Sequence, residues 1–347
     1  MSAAHAGETP ASPPAPRLRP RVTFLKLVLY CLCGAAALVA VCLACATVGE
    51  LKFTWQVFYE LRLGRTLAAA MVGAGLSVSG MALQALLRNP LAEPYILGIS
   101  SGAGVGVGLG PMLAAAAGLG ALMTTPALAL AGAMGTCLLV YGIAQRRGRL
   151  DPYVLLLSGV IINVFNGALM LVILLLSDRN KVIEFVSWGM GRMPDVAASD
   201  FGSLGRWACV VAAGWAWLFM LGSQFNTLGL GDAVASSSGV SVHRLRVETF
   251  IVVGMITSVC VARAGPIGFV GLIVPHVCRM IFGPDHRTLA IVCGFVGAIF
   301  LVVADTLCRT LGPMLSIGEI PVGVLTAILG GPFFILLLRR RTGQVRV

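Results

Sequence analysis

Charged residues are scarce in this sequence: only 11% of its residues are charged, while 58% are hydrophobic. A soluble globular domain carries about 25% charged residues. With less than half of that share, the chain lacks the polar groups needed to cover a water-facing surface of its size. The composition therefore excludes an ordinary soluble domain and predicts an all-α, polytopic membrane protein.

Lysine is especially rare, since the chain contains only Lys26, Lys52 and Lys181, and none of them follows a glycine. A P-loop ATPase needs Gly-Lys followed by Ser or Thr. The glycine-rich stretch at 100–110 is no substitute, because glycines 102, 106 and 110 repeat every four residues, the small-xxx-small spacing of closely packed membrane helices. The chain is thus predicted not to be an enzyme, and ATP-driven work would need another subunit.

Acidic residues are nearly absent from the apolar runs, and Asp305 is the exception. A proton- or sodium-coupled carrier normally holds an acid or a base at mid-membrane. Asp305 has Arg309 four residues later on the same helix face, so a structural pair is expected. A secondary, ion-coupled carrier of a small solute remains the alternative hypothesis, although the sequence offers no unpaired acid at mid-membrane to support it.

The ten cysteines all lie inside apolar stretches. Cys42 and Cys45 have the C-x-x-C spacing of some metal and redox sites. No histidine lies nearby and there is no second pair, so these cysteines are expected to be small apolar side chains. No metal site and no cofactor is predicted.

Ten candidate spans follow from the rule that a helix needs ~20 apolar residues to cross ~30 Å of hydrocarbon. They lie at 24–48, 66–87, 95–115, 121–145, 153–177, 202–222, 247–263, 267–283, 288–308 and 320–338. The predicted organisation is a disordered cytoplasmic tail at 1–22, a transmembrane domain at 23–340 and a second cytoplasmic tail at 341–347.

Sixteen of the 25 Lys and Arg residues then fall on the side that holds both termini. Cations are retained on the cytoplasmic side of membranes, so both termini are predicted to be cytoplasmic. The net charge of +11 is accordingly a topological signal. It predicts contact with membrane lipid and not with nucleic acid.

Polar residues interrupt the apolar sequence at two places. Within the fifth span, Asn163, Asn166 and Met170 share one helix face, either for interhelical hydrogen bonding or as the wall of a substrate path. Between spans, the long segment 223–246 is predicted to hold a short helix at 233–238, with Asp232 as its cap and Gly239 as its stop. Such a helix could press on a soluble partner.

Several long motifs resemble one family, the permeases of ATP-binding-cassette importers for iron chelates (siderophores, haem) and cobalamin. The resemblance covers about residues 50–340 in order. Its motifs are LRLGRTLAAAMVGAGLSVSGMALQALLRNPLAEPYILGISSGAG (61–104), the 225–242 segment, GPIGFVGLIVPHVCRM with GPDHR (265–287) and IGEIPVGVLTAILGGPFFILLL (317–338).

The resemblance implies partners and residue roles. The family works in a bacterial inner membrane as a pair of permeases, here a homodimer, with two ATPase subunits and a periplasmic binding protein. It implies docking of that protein on Arg62, Arg65 and Arg309, with Gly64 where the motif usually has proline. It also implies a cytoplasmic gate at Asn89, Pro90 and Leu91. Contact with the ATPase is implied for Leu228, Gly231, Asp232, Ala233, Val234, Ser236 and Gly239.

Overall fold

The computed structural model describes residues 23–49, 54–116, 118, 124–146, 149–316 and 318–344. Within these ranges the chain is almost entirely helical, apart from one antiparallel hairpin of β1 (Gln145–Arg146) and β2 (Arg149–Leu150). The helices are α1 (Phe24–Thr47), α2 (Trp55–Leu86), α3 (Ile99–Ala116), α4 (Thr125–Ala144), α5 (Pro152–Leu175), α6 (Arg179–Gly189), α7 (Phe201–Met220), α8 (Gly222–Leu228), α9 (Asp232–Ser237), α10 (Val242–Ala264), α11 (Val270–Phe282), α12 (His286–Met314) and α13 (Val322–Gln344).

Each of the ten predicted spans coincides with a helix, and the polytopic all-α fold is confirmed. Seven of these helices are long and apolar enough to cross a membrane: α1, α2, α4, α5, α7, α10 and α12. The other three are α3, α11 and α13. Of these, α11 has only 13 residues. At 1.5 Å per residue it spans ~20 Å, which is short of the ~30 Å hydrocarbon layer.

A non-helical segment, residues 265–269, which we name the extended segment, joins α10 to α11. It begins with Gly265, whose φ of 68° ends α10, and Pro266 follows, which disfavours a helical conformation at the residue before it. It ends with Phe269 at a φ of 69°, directly before α11. The helix of the eighth span therefore begins at Val270, three residues after the start of the span predicted over 267–283.

Close backbone contacts between glycines hold the bundle together. The central helix is α2, whose apolar window is 94% buried. A Cβ at Gly73 would collide with the carbonyl of Gly297 in α12, and one at Gly80 with that of Gly271 in α11. Gly102 and Gly106 of α3 likewise face the backbone of α4. The small-xxx-small interpretation of the glycine-rich stretch is confirmed.

The bundle has two charged ends, which we name by one residue each. At the Arg65 face, the start of α2 meets the end of α12, because Arg65 contacts Asp305. At the Asp232 face, the turn after α2 meets the start of α10, because Asp232 contacts both Arg88 and Arg246.

The last helix extends beyond the span predicted for it. Helix α13 continues to Gln344, beyond the span predicted to end at 338. The arginines that follow the apolar run favour helix as strongly as its leucines do, so the change from apolar to charged marks no helix end. The predicted tail at 1–22 lies outside the described residues.

Candidate functional site

Arg65 is the centre of an ionic cluster on the Arg65 face. Its side chain is 6% exposed. Its Nη2 donates to Asp305 at 2.7 Å, its Nε lies 3.1 Å and 3.2 Å from the two carboxylate oxygens of Asp305, and its Nη1 donates to Asp195 at 3.0 Å. A further ion pair joins Nη2 to Glu319. Every nitrogen of this guanidinium therefore has an acidic partner within the chain.

The other two predicted docking arginines lie at the same place. Arg309 pairs with Asp305 at 3.2 Å, so the i,i+4 pair expected from the sequence is confirmed. Arg62 is buried, and its Nη1 donates to the carbonyl oxygen of Thr47 at 2.9 Å. A pocket of about 440 Å³ brings all three arginines together with Asp195 and Glu319. Docking at these arginines stays a prediction.

Two of the three acids in this cluster, Asp195 and Glu319, were missed by the sequence reasoning. Asp195 lies in the loop after α6, and Glu319 lies just before α13 and also pairs with Arg192. A usable signal was present, because Glu319 directly precedes an apolar run and needs a cation when the chain enters the membrane. The structure thus shows a mixed-charge pocket and not a patch of free arginines.

The cap predicted for the short helix at 233–238 was wrong. Asp232 is the first residue of α9 itself, and the N-cap is Gly231, at a φ of 116°. The carboxylate of Asp232 pairs with Arg88 and, at 2.8 Å, with Nη2 of Arg246. Two guanidinium groups therefore take the carboxylate that capping would have used. The predicted stop is confirmed, since Gly239 follows the helix with a φ of 83°.

The segment around α9 has a buried side and an exposed side. Leu228 and Ala235 are fully buried and fix it to the bundle. Leu230 is 71% exposed and Val234 43% exposed. The remaining members of the predicted ATPase-contact set that are exposed are Ala233, Ser236 and Gly239. The exposed side is therefore small, partly apolar and open to a partner.

The predicted gate residues form a tight turn directly after α2. Arg88 has a φ of 48°, a left-handed conformation that is uncommon outside glycine. The side-chain oxygen of Asn89 accepts a hydrogen bond from the backbone N–H of Leu91 at 3.0 Å. Pro90 lies between them and carries no N–H donor. This turn reverses the chain at the Asp232 face.

After this turn the chain returns to the middle of the bundle, where it meets the extended segment 265–269. The carboxylate of Glu93 accepts a hydrogen bond from the N–H of Phe269. The hydroxyl of Tyr95 accepts one from the N–H of Ile267 at 2.9 Å. The sequence reasoning missed Glu93, although an acid directly before an apolar run is a recognisable signal.

The polar face of α5 forms interhelical hydrogen bonds. Asn163 donates to the carbonyl oxygen of Tyr95 at 3.2 Å. Asn166 donates to Ser101 at 3.1 Å and to Thr136 at 3.3 Å. Met170 is 9% exposed and packs towards the glycines of α3. The hydrogen-bonding interpretation is observed, and contact of these three side chains with substrate stays a prediction.

Metal-ligating side chains are dispersed in the part of the chain that the structure describes. No group of three or more His, Cys, Asp or Glu side chains there could hold a metal ion. All ten cysteines are free thiols, including Cys42 and Cys45.

Comparison with known proteins connects this architecture to one family. Residues 23–340 match the FecCD transport family. The chain belongs to that family. It is therefore a permease subunit of an ATP-binding-cassette transporter and a multi-pass membrane protein. Such permeases work with a separate ATPase subunit, which carries the ATPase activity, and with a substrate-binding protein, so this chain is not itself an enzyme.

Relatives of known name cover most of the chain. The hemin transport system permease protein HmuU of Yersinia pestis is 36% identical over 345 residues, which is 94% of this chain and 98% of that protein. The cobalamin import system permease protein BtuC of Halobacterium salinarum is 40% identical over 286 residues, 81% of this chain and 73% of that protein. A solved transporter assigned to the metal-chelate type, in an inward-facing conformation, matches with a TM-score of 0.78 at 28% identity, covering 90% of this chain and 99% of that one.

Proposed function

We propose that this permease imports an iron chelate, a ferric siderophore or haem, or else cobalamin, into the cytoplasm. The observation that carries the proposal is that relatives similar over most of this chain include a hemin permease, a cobalamin permease and a metal-chelate transporter. All three substrate classes are large metal chelates. The chemistry shared by the relatives therefore favours a chelate over a small ion or sugar.

The proposed assembly is a homodimer of this chain with two ATPase subunits and one binding protein. In this assembly the Arg65 face points outward to the binding protein, and the Asp232 face points to the cytoplasm. The excess of Lys and Arg in segments on the Asp232 face supports this orientation.

Docking of the binding protein is proposed at the pocket lined by Arg62, Arg65 and Arg309. A carboxylate that enters it would meet guanidinium groups whose planar forks bind carboxylates well. Because Arg65 is already engaged by three acids, Arg62 and Arg309 are the better candidates for new contacts. Asp195, whose side chain is 67% exposed, is the acid that a competing carboxylate could most easily displace.

Coupling to the ATPase is proposed at the exposed side of α9, where Leu230 and Val234 offer apolar contact and glycines flank the helix. The gate is proposed at Asn89, Pro90 and Leu91. The substrate path is proposed along α5. Its amides, Asn163 and Asn166, hold neighbouring segments in place through hydrogen bonds.

Reconstitution tests the proposed function. Permease and ATPase are placed in liposomes with the cognate binding protein, and uptake of cyanocobalamin, ferrichrome and haemin is measured with and without ATP. We expect uptake of one chelate class that depends on ATP and on the binding protein. Flux driven by an ion gradient without the ATPase would contradict the proposal, and uptake of none of the three would remove the chelate assignment.

A further inference from the structure

The gate residues belong to a longer segment, 88–95, which is attached at both ends. Its first residue, Arg88, pairs with Asp232 of α9 on the Asp232 face. Its other end is attached in the middle of the bundle, through Glu93 to Phe269 and through Tyr95 to Ile267. We name residues 88–95 the tie segment. It connects α9 with the extended segment 265–269, which precedes α11.

The Arg88 attachment is a strained and partly exposed contact. Arg88 holds a left-handed backbone conformation, with a φ of 48°, which costs free energy for a residue with a side chain. Its side chain is 41% exposed and that of Asp232 is 44% exposed. Exposed ion pairs contribute little to stability. Stability alone therefore does not explain this pair. The pair instead links α9, which holds Asp232, to the gate turn, which holds Arg88.

Asp232 itself is held from a second direction. Its other carboxylate oxygen accepts a hydrogen bond from Arg246 of α10 at 2.8 Å, and the Arg246 side chain is only 14% exposed. Asp232 therefore bridges a spanning helix and the gate turn. A displacement of α9 changes the distance from Asp232 to at least one of these arginines.

The second attachment lies directly before the start of α11. The N–H groups at the start of a helix have no partner within the helix. Glu93 supplies an acceptor to Phe269, the residue that directly precedes α11. The extended segment 265–269 is thus joined to the tie segment by side-chain contacts.

The far end of the extended segment reaches the Arg65 face. The carbonyl oxygen of Ala264, just before it, accepts a hydrogen bond from the N–H of Arg192 at 2.9 Å. Arg192 in turn pairs with Glu319 in the docking pocket. Contacts therefore continue from the Asp232 face, through the tie segment and the extended segment, to the pocket on the opposite face.

We propose that Arg88 and Glu93 are positioning residues that transmit movement of α9 through the tie segment to the extended segment 265–269. The proposal rests on the proposed function, since it requires the ATPase to act at α9 and the gate to lie at Asn89–Leu91. It adds the residues that carry the movement and the element that receives it.

Two cysteine reporters test the proposal in the complete complex of permease and ATPase. Leu91→Cys reports on the gate turn and Gly268→Cys on the extended segment. The rate of maleimide labelling is compared between nucleotide-free and vanadate-trapped complexes, with the parent protein giving the background of the native cysteines. We expect the rate to depend on nucleotide at both reporters.

Substitutions at the two attachments should remove this dependence selectively. Arg88→Gln should abolish it at both reporters. Glu93→Ala should abolish it at Gly268→Cys alone, and Glu93→Gln should retain it because the amide oxygen still accepts the Phe269 N–H. Arg244→Gln is the matched control, since Arg244 pairs with Glu248 on α10 and contacts no gate residue in the described chain. It should change neither reporter.

The outcomes distinguish a failure of the proposed coupling at α9 from a failure of the positioning roles of Arg88 and Glu93. If neither reporter depends on nucleotide in the parent complex, the proposed coupling fails. If both depend on nucleotide there and still do so in Arg88→Gln, the positioning role of Arg88 is wrong. Where Glu93→Ala does not assemble, Tyr95→Phe removes the neighbouring acceptor with little change of shape. Nucleotide dependence of Gly268→Cys that persists in Glu93→Ala, or in Tyr95→Phe where Glu93→Ala does not assemble, would overturn the second attachment.

Discussion

At the scale of single residues, burial and pairing decide what each charge can do. Arg65 fits the docking motif by sequence, yet its guanidinium is engaged by Asp305, Asp195 and Glu319. Breaking a buried ion pair leaves an uncompensated charge, which is far more costly than losing an exposed pair. Arg65 is thus first a structural residue, and removing it would test folding before it tested docking.

The two aspartates that contact Arg65 should differ sharply in their effect on stability. The side chain of Asp305 is 2% exposed and that of Asp195 is 67% exposed. We expect Asp305→Asn to lower the free energy of unfolding by about 3–5 kcal/mol. Asp195→Asn should lower it by less than about 1 kcal/mol. Thermal unfolding in detergent measures both, and equal losses would contradict the buried-pair assignment.

Arg309 offers the cleaner test of docking, because it pairs with Asp305 alone among the acids of the cluster. We expect Arg309→Gln to weaken binding of the cognate binding protein about tenfold, ~1.4 kcal/mol, with a smaller salt dependence than the parent. Arg179→Gln, an exposed cation in α6 outside the pocket, is the control and should leave affinity unchanged. Unaltered affinity in Arg309→Gln would return the cluster to a purely structural role.

At the scale of elements, the positions of the helices were predictable, but the non-helical segment between α10 and α11 was not. Hydropathy located a helix at each of the ten predicted segments, because lipid demands long apolar runs, and seven of these helices are long and apolar enough to cross a membrane. It did not distinguish the extended residues 265–269 from helix, since they are apolar as well. Asp232 was misassigned for a similar reason, because a capping pattern is local whereas its partners Arg88 and Arg246 come from other elements. Glu93 escaped notice because its acceptor role depends on a distant backbone N–H.

Packing of α3 against α4 should depend on which glycine is replaced. A Cβ at Gly132 would overlap the carbonyl oxygen of Gly102, whereas one at Gly135 would have nothing within 4 Å. We expect Gly132→Ala to destabilise the protein by about 1–3 kcal/mol through overpacking. Gly135→Ala, on the same helix, should be neutral or slightly stabilising because alanine favours helix. Unfolding in detergent distinguishes them, and the opposite order would contradict the close approach.

At the scale of the whole molecule, the two faces carry different electrostatic arrangements. On the Arg65 face, Arg65, Arg192 and Arg309 are matched by Asp195, Asp305 and Glu319. On the Asp232 face, Asp232 alone serves both Arg88 and Arg246. The family indicated the function because the similarity runs over residues 23–340. The composition excluded only a soluble domain, and the missing Gly-Lys-Ser/Thr motif excluded only a P-loop ATPase.

Orientation is the prediction that belongs to this scale. The excess of cations on the Asp232 face predicts that this face is cytoplasmic, because retention of Lys and Arg sets topology while acids contribute little. Two exposed sites report on it: Ser237→Cys in α9, and Lys181→Cys in α6, where the Lys181 side chain is 63% exposed. In intact spheroplasts, a membrane-impermeant maleimide should label Lys181→Cys at once and Ser237→Cys only after permeabilisation. The parent protein gives the background of the native thiols. Labelling of Ser237→Cys in intact spheroplasts would reverse the orientation, and would then move both the binding protein and the ATPase to the opposite faces of the molecule.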